Sequence, residues 1–183
     1  SKTPTYSAVK LRVDNWRWQG VPFYLRSGKG LKEKLTQVTI QFKEPPHMLF
    51  PSKRGKLTPN MLVLYLQPDE GVHWRFEAKV PDTIADTRSV DMEFHYADSF
   101  GKTAIPEAYE RLLLDTITGD ASLFTRADEV ETAWGLIDPI IEAWQANDQP
   151  IASYLKGTWG PTEAEDLLAA DGCSWSTWDG RIE

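Results

Sequence analysis

The sequence predicts an α+β fold, and three observations carry the prediction. Apolar and polar residues alternate through the first two thirds of the chain. After residue 105 the apolar spacing turns helical. No internal repeat, low-complexity tract or linker divides the 183 residues. A chain of this length is enough for one domain whose core needs neither a metal nor a disulfide.

The elements follow in order. Val9, Leu11 and Val13 alternate with Lys10 and Arg12, the pattern of a short half-buried strand. The apolar run Val21–Leu25 leads a second strand to its end at Arg26. Val38, Ile40 and Phe42 face one way while Gln37, Thr39 and Gln41 face the other. Met61–Gln67 is apolar on both faces and reads as a central strand. Val72, Trp74, Phe76, Ala78 and Val80 alternate with His73, Arg75, Glu77 and Lys79, and Val90, Met92, Phe94 and Tyr96 alternate with Asp91, Glu93 and His95. Such strands build a sheet with one buried face and one that is wet or covered by a partner. Their opposite charges would pair across the sheet if the two strands were neighbours.

Pro45-Pro46 interrupts the pattern, followed by an apolar connector over 47–51 and a basic, exposed turn over 52–56. Pro106 suits a first helical position, and Tyr109, Leu112, Leu113, Thr116 and Ile117 share a face before Gly119. Glu107, Glu110 and Asp115 read as surface charge on that helix. Thr125 and Asp128 resemble a capping pair ahead of Val130, Trp134, Ile137, Ile141 and Trp144, with Pro139 expected to kink the helix. Thr162 and Glu165 read as a capping box for a last short helix.

Composition excludes several classes. The formal net charge of −7 and a pI near 5.0 argue against a general nucleic-acid binder, so any anion site must be made by a few placed cations. Cys173 is the only cysteine, which rules out an intrachain disulfide and a Cys-rich zinc site and fits a cytoplasmic protein. No apolar run approaches a membrane span. His47, His73 and His95 have no metal-ligand spacing, and no metal site is expected. The eight tryptophans read as core and interface packing rather than a sugar-stacking surface.

One stretch stands against the acidic balance: four of the nine residues from Arg26 to Lys34 are basic, around Gly28-Lys29-Gly30. It is not a Walker loop, because Phe23 stands where the first glycine belongs and Gly30 follows Lys29 in place of Ser or Thr. Nor is it a dinucleotide fingerprint, because Glu33 stands where the last glycine belongs. What remains is a glycine-flanked turn at a strand end that brings its backbone close to something and projects Lys29, a compact three-donor cation suited to a phosphate or a sugar hydroxyl.

The same residues carry a resemblance. Asp14-Asn15-Trp16-Arg17-Trp18-Gln19-Gly20-Val21-Pro22-Phe23-Tyr24-Leu25-Arg26-Ser27-Gly28-Lys29 resembles the "NxRWxGVPFxLRxGK" segment of the glucose-6-phosphate dehydrogenase family. Leu66–Glu70, Pro106–Asp115, the "DELxxAW"-like Glu129, Ala133 and Trp134, and Gly157–Pro161 match in order, covering nearly all of residues 1–183.

The resemblance is to the C-terminal part of the family. It implies a large, mainly antiparallel β-sheet with helices packed on one face, serving substrate binding and homodimer or tetramer formation. It also implies that the NADP-binding Rossmann domain, the segment with the substrate-binding histidine and lysine, and the histidine base belong before Ser1. The residues given would then hold no catalytic group. By position, Lys29 and Lys34 match basic contacts to glucose 6-phosphate, and Gln67 matches a substrate-contacting glutamine. Arg26 keeps one position of the structural NADP site found in animal members, while Leu35, Thr39, Tyr65 and Trp159 replace basic residues there, so no structural NADP is expected. The alternative is a catalytically silent self-association or docking module that retains only the fold.

Overall fold

The computed structural model describes residues 3–45, 47, 58–84, 86–101, 108–147 and 151–176. It contains β1 (Tyr6–Arg12), β2 (Pro22–Gly28), β3 (Thr36–Gln41), β4 (Met61–Gln67), β5 (Gly71–Lys79), β6 (Thr87–His95), α1 (Tyr96–Phe100), α2 (Ala108–Thr118), α3 (Ala127–Ala146) and α4 (Glu163–Ala169). These form two compact units, Ser1–Gly101 with Ala152–Glu183, and Lys102–Ile151. The expected α+β class with antiparallel sheets holds, with the strands divided between a two-stranded sheet, β1-β2, and a four-stranded sheet in the order β3-β4-β5-β6.

In the first unit, β1 and β2 pair antiparallel from Tyr6 opposite Gly28 to Arg12 opposite Pro22. The connection between them is closed locally: the Asn15 side-chain oxygen accepts the backbone N–H groups of Arg17 and Trp18 at 3.1 and 2.8 Å. β3 to β6 run as a meander in which each strand pairs with the next, with short connections after β4 and β5 and a longer one, residues 42–60, after β3. As its two-sided apolar pattern predicts, β4 lies inside the sheet, and Val63 and Tyr65 are buried.

The register sorts side chains onto two faces, because residues directly opposite in an antiparallel ladder point the same way. One face carries Val38, Ile40, Leu62, Leu64, Val72, Trp74, Phe76, Val90, Met92 and Phe94. The other carries Gln37, Thr39, Val63, Tyr65, His73, Arg75, Glu77, Asp91 and Glu93. Alternation suggested that the apolar set would be the buried one. Instead His73 is fully buried, while Val38, Ile40, Trp74, Met92 and Phe94 are all exposed. The polar face is covered at one corner by the C-terminal segment, where Ser176 accepts the Gln37 side-chain amide through its carbonyl at 3.0 Å and its hydroxyl meets Met61 Sδ at 3.5 Å.

That C-terminal segment also ties down the two-stranded sheet. Asp171 is ion-paired with Lys10 and accepts the Tyr24 hydroxyl. Lys10 foremost holds the Asp171 carboxyl below its ordinary range, and the hydrogen bond to Asp171 pushes Tyr24 up to about 12. Ala164 and Leu168 of α4 are buried, and Trp175 donates its indole N–H to the Ala164 carbonyl at 2.9 Å.

Two capping expectations fail. Thr162 has helical dihedrals, so the turn begins ahead of it. Its side chain caps no N–H, and Glu165 reaches toward Arg26 instead of back to Thr162. At α3 the flanking residue is Arg126, with no side-chain cap; Asp128 bonds the Arg126 guanidinium at 2.8–3.0 Å. α3 continues through Pro139 as one helix. In the second unit, Asp115 is not surface charge. It is 3% exposed and ion-paired with Arg111 one turn earlier at 3.0 Å. Of the tryptophans, Trp16, Trp18, Trp74, Trp134 and Trp144 are exposed, contrary to a core role, and Trp178 lies outside the described residues. The connector over 48–51, the basic turn over 52–56, Pro106 and Glu107 also lie outside them.

Candidate functional site

Lys29 stands one residue beyond β2, and both of its backbone groups are held. Its N–H donates to the Thr5 carbonyl at 2.8 Å, and its carbonyl accepts the Tyr154 hydroxyl at 2.7 Å. The turn goes on to accept Gly157 N–H at the Gly30 carbonyl, 2.8 Å away, while Lys32 N–H donates to Thr158. The sequence left open what the glycines approach; it is other side chains of the same chain, Tyr6 and Leu31 at Gly28 and Lys156 at Gly30. A Cβ on Gly28 would sit 2.6 Å from the Tyr6 ring, and Gly30 has φ +63°. The result is a rigid base with the Lys29 side chain exposed upon it.

Lys34 is exposed two residues before β3. Thr36, the first residue of β3, pairs with Gln67, the last of β4, so Lys34 and Gln67 are brought to the same end of the four-stranded sheet. Lys29 enters the same connection from the β2 side, five positions before Lys34 in the chain. Among the described residues, no carboxylate pairs with Lys29 or Lys34. Two ammonium groups and a carboxamide, exposed at or beside strand ends, can take phosphate oxygens and hydroxyls.

Arg26, by contrast, is committed. Its guanidinium lies 4.5 Å from the Trp175 ring and 5.3 Å from the Trp159 ring, with Glu165 at 4.0 Å, and its side chain is 13% exposed. Sequence reasoning noted the basic residue but not this use, which joins positions 26, 159, 165 and 175.

A part-buried polar ladder runs across β5 and β6, the cross-strand pairing that their opposite charges allowed. Asp91 accepts Arg75 Nε at 2.8 Å and Nη2 at 3.1 Å, and is hydrogen-bonded to His73 Nε2 at 2.9 Å. Arg75 and Asp91 are directly opposite, as the alternating charges allowed. Arg75 foremost holds the Asp91 carboxyl below its ordinary range despite burial. Further along, Ser89 donates to Glu77. At the strand end His95 lies between Glu93 and Asp69, and the Glu93 bond raises its pKa. The only advance signal was opposite charges at a period of two. Neither His73 nor His95 belongs to a metal-holding group among the described residues. No helix there is long and apolar enough to cross a membrane.

The family model described as "Glucose-6-phosphate dehydrogenase, C-terminal domain" matches residues 1–176. A glucose-6-phosphate 1-dehydrogenase of Zymomonas mobilis is 46% identical over 178 residues, covering 96% of this chain and 37% of the relative. One from Aggregatibacter actinomycetemcomitans is 44% identical over 183 residues, covering all of this chain and 36% of the relative. The crystal structure of the Mycobacterium avium enzyme superposes with a TM-score of 0.78 at 33% identity, over 97% of this chain and 36% of that one. A glucose-6-phosphate dehydrogenase in complex with its substrate glucose-6-phosphate superposes with a TM-score of 0.82 at 31% identity, over 94% and 35%. The chain thus spans about a third of the length of the curated relatives it matches.

Proposed function

The chain belongs to the glucose-6-phosphate dehydrogenase C-terminal domain family, and from that premise we propose that it supplies the sugar-phosphate side of a dehydrogenase site. The intact enzyme moves a hydride from C1 of glucose 6-phosphate to NADP, while the C1 hydroxyl proton goes to a base outside these residues, giving the 6-phosphogluconolactone. The observation that carries this reading is the shared sheet end of Lys34 and Gln67, fed by the braced turn of Lys29.

Lys29 and Lys34 neutralise and orient the phosphate, and Gln67 exchanges hydrogen bonds with the sugar. His73 and His95 are tied to carboxylates within the sheet and do not serve as the base. NADP supplies the hydride acceptor and is held by the part of the enzyme that precedes this domain. The residues here do not fit a second dinucleotide. Arg26 is stacked between two tryptophans, Arg75 is bonded to Asp91, and Leu35, Thr39 and Tyr65 offer no cation. Self-association through the sheet completes the reading. With the polar face met by Ser176, the apolar face is the one left for covering in the intact enzyme. The single cysteine suits a cytoplasmic setting.

The test is kinetic. In the intact enzyme, Lys29→Ala should raise KM for glucose 6-phosphate by about tenfold or more, the worth of one charge-assisted hydrogen bond, and leave KM for NADP unchanged. An unchanged KM for the sugar phosphate sinks the assignment. NADPH formation by the 183-residue chain alone sinks the division of labour.

A further inference from the structure

We propose that His95 is a positioning residue for the sugar-phosphate site: its imidazole pins the turn between β4 and β5 and thereby sets where Gln67 points. The inference rests on the function proposed above and adds a residue to which no binding or catalytic role has been given.

The turn is three residues long, Pro68-Asp69-Glu70, and Gln67 and Gly71 are its two anchors. The Gly71 side is fastened to the end of β6. Gly71 pairs with His95, and Tyr96 N–H donates to the Glu70 carbonyl at 3.0 Å. The fit is close enough that a Cβ on Gly71 would lie 2.6 Å from the Phe94 carbonyl oxygen and 2.9 Å from His95 Nδ1. His95 itself is held on three sides. Nε2 bonds Glu93 at 2.9 Å, the ring stacks on Tyr65 with centroids 5.7 Å apart and planes 15° apart, and Nδ1 lies 3.3 Å from Asp69 Oδ2, within ion-pair distance but outside hydrogen-bond geometry. The Asp69 contact is the only one of the three made to the turn itself, and Asp69 is two residues from Gln67.

The charged groups around the ring share one sign: Glu93 on its own strand, Asp69 on the turn and Asp98 on α1, with uncharged Tyr65 beneath it on β4. Three carboxylates favour the imidazolium, and the Glu93 bond raises the pKa accordingly. Protonated, His95 can hold Glu93 and Asp69 at once. Neutral, it keeps one N–H, and the turn loses its charge clamp.

The experiment is a mutant cycle in the intact enzyme, read as KM for glucose 6-phosphate against kcat and KM for NADP. His95→Ala and Gln67→Ala should each raise KM for the sugar phosphate by about tenfold, and the double variant should be no worse than Gln67→Ala alone, because one residue acts through the other. KM of the parent enzyme should also rise as the pH climbs above His95's ordinary value of 6.5 through its higher folded value, and His95→Ala should lack that rise. Should His95→Ala not fold, Asp69→Asn, at a side chain 59% exposed, breaks the same clamp without emptying the stack on Tyr65 and must raise the same KM. Additive effects, or a parallel loss in both KM values, overturn the role of His95 and leave the function standing. A Gln67→Ala variant with unchanged KM overturns the proposed function, and this inference with it.

Discussion

The two faces of the β3–β6 sheet are made from alternate residues of the same four strands, yet they are opposite in chemistry and in burial. On one side His73, Arg75, Asp91, Glu77 and Ser89 bond one another beside buried Val63 and Tyr65. On the other, Val38, Ile40, Trp74, Met92 and Phe94 form an apolar surface that the described residues leave exposed, with Phe42 stacked on Trp74. The comparison teaches that a polar strand face is not the same as a wet one. Part-buried charges persist where each finds a partner in the ladder, whereas a large exposed apolar face is a candidate contact surface.

The largest effect is expected from breaking the polar face. Asp91→Ala strips both Arg75 and fully buried His73 of their carboxylate and should cost about 3 kcal/mol, measured by urea unfolding of the folded domain. A cost below about 0.5 kcal/mol, typical of a surface change, would mean the ladder is decorative. Val63→Ala tests the apolar share of the same face. Removing two methyl groups at a fully buried position should cost about 2 kcal/mol.

On the opposite face, Trp74→Glu with Met92→Glu should change monomer stability by less than about 1 kcal/mol and sharply reduce self-association in sedimentation. Unchanged association would move the contact off this face. The smallest effect is the pH response of the polar face. Asp91 is held below its ordinary 3.8, so its contribution is full above that value and is lost as the pH falls through the lower folded value. His95 is raised above 6.5, so its contribution is full below 6.5 and is lost as the pH rises through the higher folded value. Melting temperature should therefore be highest between these two limits. Asp91→Asn should remove the acid limb and His95→Gln the upper one.

Much of the architecture was readable because it is local. The period of two in β3, β5 and β6, the two-sided apolar pattern of β4 and the helical spacing of α2 and α3 depend only on neighbours in the chain. The capping pairs failed because Glu165 and Asp128 had arginines within reach, Arg26 from a distant strand and Arg126 beside the helix start. At the candidate site, Lys29, Lys34 and Gln67 were legible as residues through the motif that contains them. That Lys34 and Gln67 share one end of the sheet was expected only through the family resemblance, and the pairing of Thr36 with Gln67 is what brings them there.

By itself, then, the sequence determined which residues share a strand face, where the cations gather and to which family the pattern is similar. Only the tertiary structure decided which face is inside, that Arg26 belongs to two tryptophans, that Asp115 is buried, and that His95 reaches across to Asp69. The reason is physical. Side-chain direction follows from backbone geometry over two or three residues, but burial and charge pairing follow from whatever the rest of the chain brings against that face.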